Sequence, residues 1–217
     1  MKKIAVVLSG SGYKDGSEIT EAVSLLISLY QAGAEVSCFA PDIDMPSFDH
    51  RYGKPDSISR NILTESARIA RGQIQNVQEL KHTNFDGLAF PGGFGAAKNL
   101  CNWAEKGAAC DVHPEVERVI KEFHQASKPI AAICIAPVLL ARVLGKEKVT
   151  LTIGDDKETA AEIQKTGAIH EDCPVDDYIS DRESKIVTTP AYMYDHAKPH
   201  EVFKGILGLA HELVEWA

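Results

Sequence analysis

Three short runs, Lys3 to Leu8, Gly87 to Phe90 and Pro129 to Ile133, are apolar almost throughout, and they stop at a serine-glycine turn, a proline and a cysteine respectively. A strand with one face in water alternates apolar and polar residues; a run without alternation needs cover on both faces, as in a parallel sheet between helix layers. The first run leads through Ser9-Gly10-Ser11-Gly12 into a helical pattern from about Ser17 to Gln31 that ends at Gly33. A second strand, Val36 to Ala40, closes at Pro41. This strand, helix, strand order predicts parallel pairing with right-handed crossovers.

The remaining segments extend the same plan. Pro41 to about Arg60 is polar and punctuated by proline, which predicts a long excursion, part of it covering a site. Ile62 to Ala70 and Val77 to Leu80 read as short helical pieces. A helix over Glu115 to Gln125 follows, with Pro114 suited to its first turn. Pro129 to Ile133 runs through Cys134 into a helical stretch, Val138 to Leu144, stopped by Gly145. Val149 to Ile153, Tyr178 to Ser180 and Lys185 to Thr189 read as strands around a Lys157 to Lys165 helix. His200 to Ala217 carries apolar residues at helical spacing and reads as a packing helix. The whole is expected to form one domain spanning 1–217, an α/β sandwich with a mainly parallel central sheet.

Charge narrows the partners. With 23 Lys and Arg against 31 Asp and Glu, the net charge is -8, which disfavours nucleic acid and acidic membrane surfaces. The apolar run after Met1-Lys2-Lys3 stops after five residues, too short for an export signal or a membrane span. Five cysteines at 38, 101, 110, 134 and 173 form an odd set without a CxxC pair. Reduced thiols and a cytoplasmic location are therefore expected.

Chemistry concentrates where strands end. Ala132-Ile133-Cys134-Ile135-Ala136-Pro137 puts a thiol between a strand and a helix, with small residues two before and two after it. A nucleophile elbow needs that pattern, because the turn presses the flanking side chains together and strains the backbone. The start of the following helix is expected to favour thiolate over thiol. Phe90-Pro91-Gly92-Gly93-Phe94-Gly95 ends another strand on the same carboxyl edge, the edge at which open α/β sheets bind ligands. An amide of Gly92 or Gly93, with that of Ile135, could hold an oxyanion. Alone, the first element fits a core cysteine and the second a glycine turn; together on one edge they favour a site.

A third element, Asp15 to Glu21, lies at the first strand-to-helix junction. Glu18 and Glu21 fall on one helix face, and either could act on the Cys134 thiol as general acid or base. The same residues also fit a helix start capped by Ser17 with an acidic first turn. Eight histidines are present and none is placed persuasively by the sequence; His170 and His196 fall in late loops that could reach the site, but a surface position is the safer reading of each. Cys101, Cys110 and His113 lack the paired short spacings of a structural zinc site, so no metal is expected. Gly10-Ser11-Gly12 begins like a dinucleotide fingerprint, but Asp15 stands where its third glycine would fall.

Over nearly its full length the chain resembles the ThiJ/PfpI superfamily, relatives of class I glutamine amidotransferases, and within it the ElbB-like isoprenoid-biosynthesis proteins with an amidotransferase-like domain. The resemblance is carried by Leu8 to Glu21, Phe39 to Asp42, Pro91 to Leu100, Cys134 to Pro137, Leu151 to Gly154, Cys173 to Asp177 and Lys185 to Met193. It implies a flavodoxin-like three-layer sandwich, a homodimer, and a glyoxalase that needs no cofactor and no glutathione and turns glyoxal, a small dicarbonyl, into glycolate. It also implies Cys134 as nucleophile, an oxyanion pocket at Gly92, Gly93 and Ile135, and a helix-one glutamate at Glu21 or Glu18, with the register back from Gly33 favouring Glu21. Many superfamily members have His after the cysteine; Ile135 here excludes that adjacent dyad. No His-x-Glu pair follows Cys134, which argues against glutaminase activity. The competing reading is a redox-sensitive regulatory or partner-binding protein in which the same thiol is oxidised.

Overall fold

The computed structural model describes residues 1–217. Its first half contains β1 (Lys3–Val7), α1 (Ile19–Gln31), β2 (Glu35–Ala40), β3 (Asp44–Asp49), β4 (Lys54–Asn61), α2 (Ile62–Ile69), β5 (Ile74–Asn76), β6 (Gly87–Phe90), α3 (Phe94–Lys98) and α4 (Trp103–Lys106). The second half contains α5 (Pro114–Gln125), β7 (Ile130–Ile133), α6 (Pro137–Leu144), β8 (Thr150–Leu151), α7 (Lys157–Lys165), β9 (Ile169–His170), β10 (Ile179–Asp181), β11 (Ile186–Thr189) and α8 (Pro199–Trp216).

Seven strands form one sheet in the order β10-β11-β7-β6-β1-β2-β5. All its pairings are parallel except the one between edge strand β10 and β11. The apolar runs behave as double-sided strands. Ala5, Val7, Leu88, Phe90, Ile130 and Ala132 join one core with α5, α6 and part of α3. Their neighbours Ile4, Val6, Ala89, Ala131 and Ile133 join the other, against α1 and α8. Adjacent residues of a strand point to opposite faces, so each run serves both cores of a three-layer, flavodoxin-like sandwich.

Several segments depart from expectation, among them α3, α4 and β9, where no element was expected. The polar excursion after Pro41 is a paired antiparallel hairpin, β3 and β4, rather than an irregular loop. It packs on the connection between β1 and α1, where Phe48 N–H donates to Asp15 Oδ2 at 2.8 Å. The short edge strand β5 was not anticipated. The expected strand Val149 to Ile153 contracts to two residues that pair with β9, apart from the main sheet.

Candidate active site

Cys134 stands where β7 turns into α6, with φ at +62°. A residue with a side chain holds that conformation at a cost of roughly 1–3 kcal/mol, and only when its surroundings impose it. Here the Cys134 N–H donates to Thr189 O of β11 at 2.9 Å, and the Ala136 N–H closes the turn on Ile133 O at 3.0 Å. Ala132 and Ala136 are fully buried on either side, as the small-residue pattern requires. The cysteine is 7% exposed, and its sulfur faces the N–H groups of Gly93 and Ile135.

Glu21, in the first turn of α1, is fully buried against this thiol. Its Oε1 accepts the Tyr192 N–H at 3.2 Å, while Oε2 has no hydrogen-bond partner of full strength. Gly92 fills the space beside both groups: a Cβ there would overlap the Cys134 Cβ and lie 2.5 Å from Glu21 Oε2. Burial, followed by the charge of Glu18, pushes the Glu21 carboxyl up to about 8. The Tyr192 N–H, the Cys134 thiol and the Gly92 backbone oppose the shift. At neutral pH the carboxyl is therefore mostly protonated and can donate to sulfur.

Glu18 holds a different post. It caps α1, its carboxylate accepting the Glu21 N–H at 2.7 Å, and its own N–H donates to Gly92 O at 3.0 Å. Burial raises its carboxyl too, against backbone hydrogen bonds that lower it. Ser17, expected at the cap, instead has its Oγ accept the Ser9 N–H at 2.9 Å. The choice between the two glutamates thus resolves geometrically, with Glu21 at the sulfur and Glu18 on the helix end.

Two further expectations change. The Cys134 thiol is pushed well above its ordinary range, first by burial and then by the Glu21 charge, although the Gly93 and Ile135 amides pull it down. Desolvation outweighs the helix start. The Gly92 backbone faces Glu21 rather than the sulfur, so the amides aimed at Cys134 are those of Gly93 and Ile135. His170 accepts from the Ile153 N–H at 3.3 Å, and no histidine is among the partners of Cys134 or Glu21. The sequence reading missed Tyr192, which acts through its backbone; the only signal was the strand end Thr189-Pro190, beside β7 in the sheet.

A model described as the DJ-1/PfpI family matches residues 2–191. The chain belongs to the DJ-1/PfpI family. An isoprenoid biosynthesis protein with amidotransferase-like domain from Ehrlichia chaffeensis is 36% identical, with a TM-score of 0.93 over 100% of this chain and 99% of that one. The human glutamine amidotransferase-like class 1 domain-containing protein 3, mitochondrial, is 47% identical over 98% of this chain and 82% of its own length. The zebrafish ES1 protein, mitochondrial, is 35% identical over 94% of this chain and 82% of its own. Relatives named as mitochondrial overturn the expectation of a cytoplasmic location: a reduced-cysteine count and a short apolar start do not separate one reducing compartment from another. No helix is long and apolar enough to cross a membrane.

Proposed function

We propose that this family member is a cofactor-independent glyoxalase that uses Cys134 as nucleophile and Glu21 as proton carrier to convert glyoxal to glycolate. The observation that carries the reading is the convergence of a buried, partly unbonded carboxyl oxygen and two amides on a cysteine held at positive φ.

In its ionised fraction Glu21 takes the thiol proton as sulfur adds to one aldehyde carbon. The Gly93 and Ile135 N–H groups, which face the sulfur, stabilise the oxyanion formed on that carbon. Glu21 gives the thiol proton to that oxyanion. Ionised again, it takes the carbon-bound proton and delivers it to the neighbouring carbonyl carbon through an enediol, the hydroxyl proton passing to the neighbouring oxygen, leaving a thioester. Water cleaves the thioester and releases glycolate. One carbon is oxidised and the other reduced by two electrons each, so no external oxidant enters. A homodimer is part of this reading, with a second copy on the outer face of α1.

Purified protein given glyoxal is expected to form glycolate, and Cys134→Ala to reduce the rate to that of the protein-free solution. Equal turnover by that variant would remove Cys134 from the role. The redox-sensor alternative loses support from the burial of the thiol, since oxidant-sensing cysteines are exposed and ionised.

A further inference from the structure

Phe94 directly follows Gly93, whose amide faces the sulfur, and donates its own N–H to Tyr13 O at 2.7 Å. That carbonyl belongs to the same peptide group as the Lys14 N–H, which donates to His50 Nε2 at 3.3 Å. The other ring nitrogen, Nδ1, lies 3.0 Å from Phe48 O. These partners dictate the tautomer. A carbonyl only accepts, so Nδ1 carries the proton; an amide N–H only donates, so Nε2 offers a lone pair. One hydrogen-bond chain thus runs from the β3–β4 hairpin, through a neutral imidazole and one peptide plane, to the loop that carries the Gly93 amide. Each bond in such a chain polarises the next.

A second proton on the ring breaks the chain at Nε2. Two N–H groups then confront each other, and the Lys14 amide loses its acceptor. A new partner for the Nε2 proton stands ready: Asp15 Oδ1 lies 3.6 Å away, is buried, and makes no hydrogen bond. The carboxyl is fixed in place, because Oδ2 accepts the Phe48 N–H at 2.8 Å and Asn99 Nδ2 donates to the Asp15 backbone O at 2.8 Å. Gly12 keeps the gap clear, since a Cβ there would lie 2.7 Å from both Asp15 Oδ1 and His50 Cε1. The His50 side chain is 35% exposed, so the ring exchanges protons with water directly.

The other charged groups around the ring leave Asp15 as its acidic partner. From the β1–α1 loop, Tyr13 meets the imidazole edge-on at 5.4 Å between centres, and the Lys14 ammonium sits over the Tyr13 and Phe94 rings at 4.9 and 4.7 Å. From α3, the Lys98 ammonium lies 5.0 Å from the Phe94 ring and donates to Lys14 O at 3.3 Å. On the hairpin itself, Asp49 accepts the Arg51 and Tyr52 N–H groups, while Arg51 and Lys54 lie against the Tyr52 ring. We infer that His50 is a positioning residue and an acid-operated latch: neutral, its Nε2 pins the Tyr13–Lys14 peptide against Phe94; protonated, its ring turns to Asp15 and lets that peptide go. The Phe94 N–H then bonds to a peptide free to tilt, and the Gly93 amide beside it is held less firmly. For catalysis the inference rests on the Cys134 reading above; the latch itself does not.

Amide hydrogen exchange, followed by NMR from pH 5 to 8 where imidazoles change charge, tests the latch in the unsubstituted protein. After correction for the intrinsic pH dependence, protection of the Lys14 and Phe94 amides is expected to fall about tenfold or more as His50 becomes charged. The loss should follow the titration of the His50 ring read in the same spectra. His50→Gln, which offers an acceptor that does not titrate, is expected to hold both protections constant. Protection that ignores the His50 titration, or that falls equally in His50→Gln, overturns the latch. The second arm is the ratio of glyoxal kcat/KM in His50→Gln to that in the parent, in which the Glu21 titration cancels. It is expected to rise about threefold or more from pH 8 to pH 5. A flat ratio in protein that turns over glyoxal overturns the positioning role. Absence of turnover at every pH would remove the Cys134 reading, and the exchange arm alone would then decide the latch.

Discussion

At the scale of single residues, Glu21 couples chemistry to stability with opposite signs. Its carboxyl, near 4.5 in a solvated chain and about 8 in the fold, binds a proton in the native state that the unfolded state lacks between those values. Stability therefore falls as pH rises from about 4.5 to 8, by roughly 1.4 kcal/mol per pH unit at most. Activity runs the other way, because the ionised carboxylate is the base: kcat/KM for glyoxal is expected to climb towards a plateau above pH 8. Glu21→Gln is expected to cut kcat/KM by about 10²-fold or more and to flatten the Tm slope between pH 5 and 8 relative to the parent. Titrations elsewhere, such as His113 and His170, cancel in that difference. A variant with the parent's slope would show that Glu21 is ionised in the fold. Much of this was legible in the chain, since Ala132-Ile133-Cys134-Ile135-Ala136 spells out the turn. Burial was not, because the environment that raises Glu21 and Cys134 is assembled from β11, α1 and the Gly92 loop, which lie far apart in sequence.

At the scale of elements, the site depends on two loops locked backbone to backbone. Between β1 and α1, Tyr13 O accepts the Phe94 N–H at 2.7 Å and Gly16 O accepts the Gly95 N–H at 3.0 Å. Asn99 Nδ2 donates to Ser9 O and Asp15 O, each at 2.8 Å. This contact explains a glycine-rich start that the dinucleotide fingerprint did not. A Cβ at Gly16 would overlap Ser11 N and lie 2.5 Å from the Gly10 carbonyl carbon, so the obstacle is backbone that cannot swing aside. Gly16→Ala is expected to cost roughly 1–3 kcal/mol, seen as a Tm lower by about 3–10 °C, with glyoxal turnover falling as Glu18 and Glu21 shift. An unchanged Tm would show that the loop has room to move. The long helices were readable from their apolar period and the central strands from their unbroken apolar runs, whereas α3 and α4, five and four residues long, are too short to show a period. The β3–β4 hairpin was hidden because Pro46 and Pro55 interrupt a polar stretch whose partner is only the other half of itself.

At the scale of the whole molecule, α1 has two apolar faces and the chain covers only one. Ala22, Leu25 and Leu29 are buried with α8 against the sheet, while Ile19, Val23, Ile27 and Tyr30 stand 51%, 40%, 47% and 61% exposed. Spacings of four, four and three place these four in one stripe along the helix. Single exposed apolar residues are ordinary, but a continuous stripe is a surface that gains by being covered. A second copy meeting it about a two-fold axis would set stripe against stripe, each residue facing the same apolar set. The stripe begins at Ile19, between Glu18 and Glu21, so such a dimer would brace the end of α1 that carries the proton-moving carboxyl. Sedimentation is expected to give twice the 23.6 kDa chain mass, and Ile27→Asp, at an exposed position, to give the single-chain mass with an unchanged circular dichroism spectrum. An unaltered dimer in that variant would move the interface off α1, and a monomeric parent would end the dimer reading.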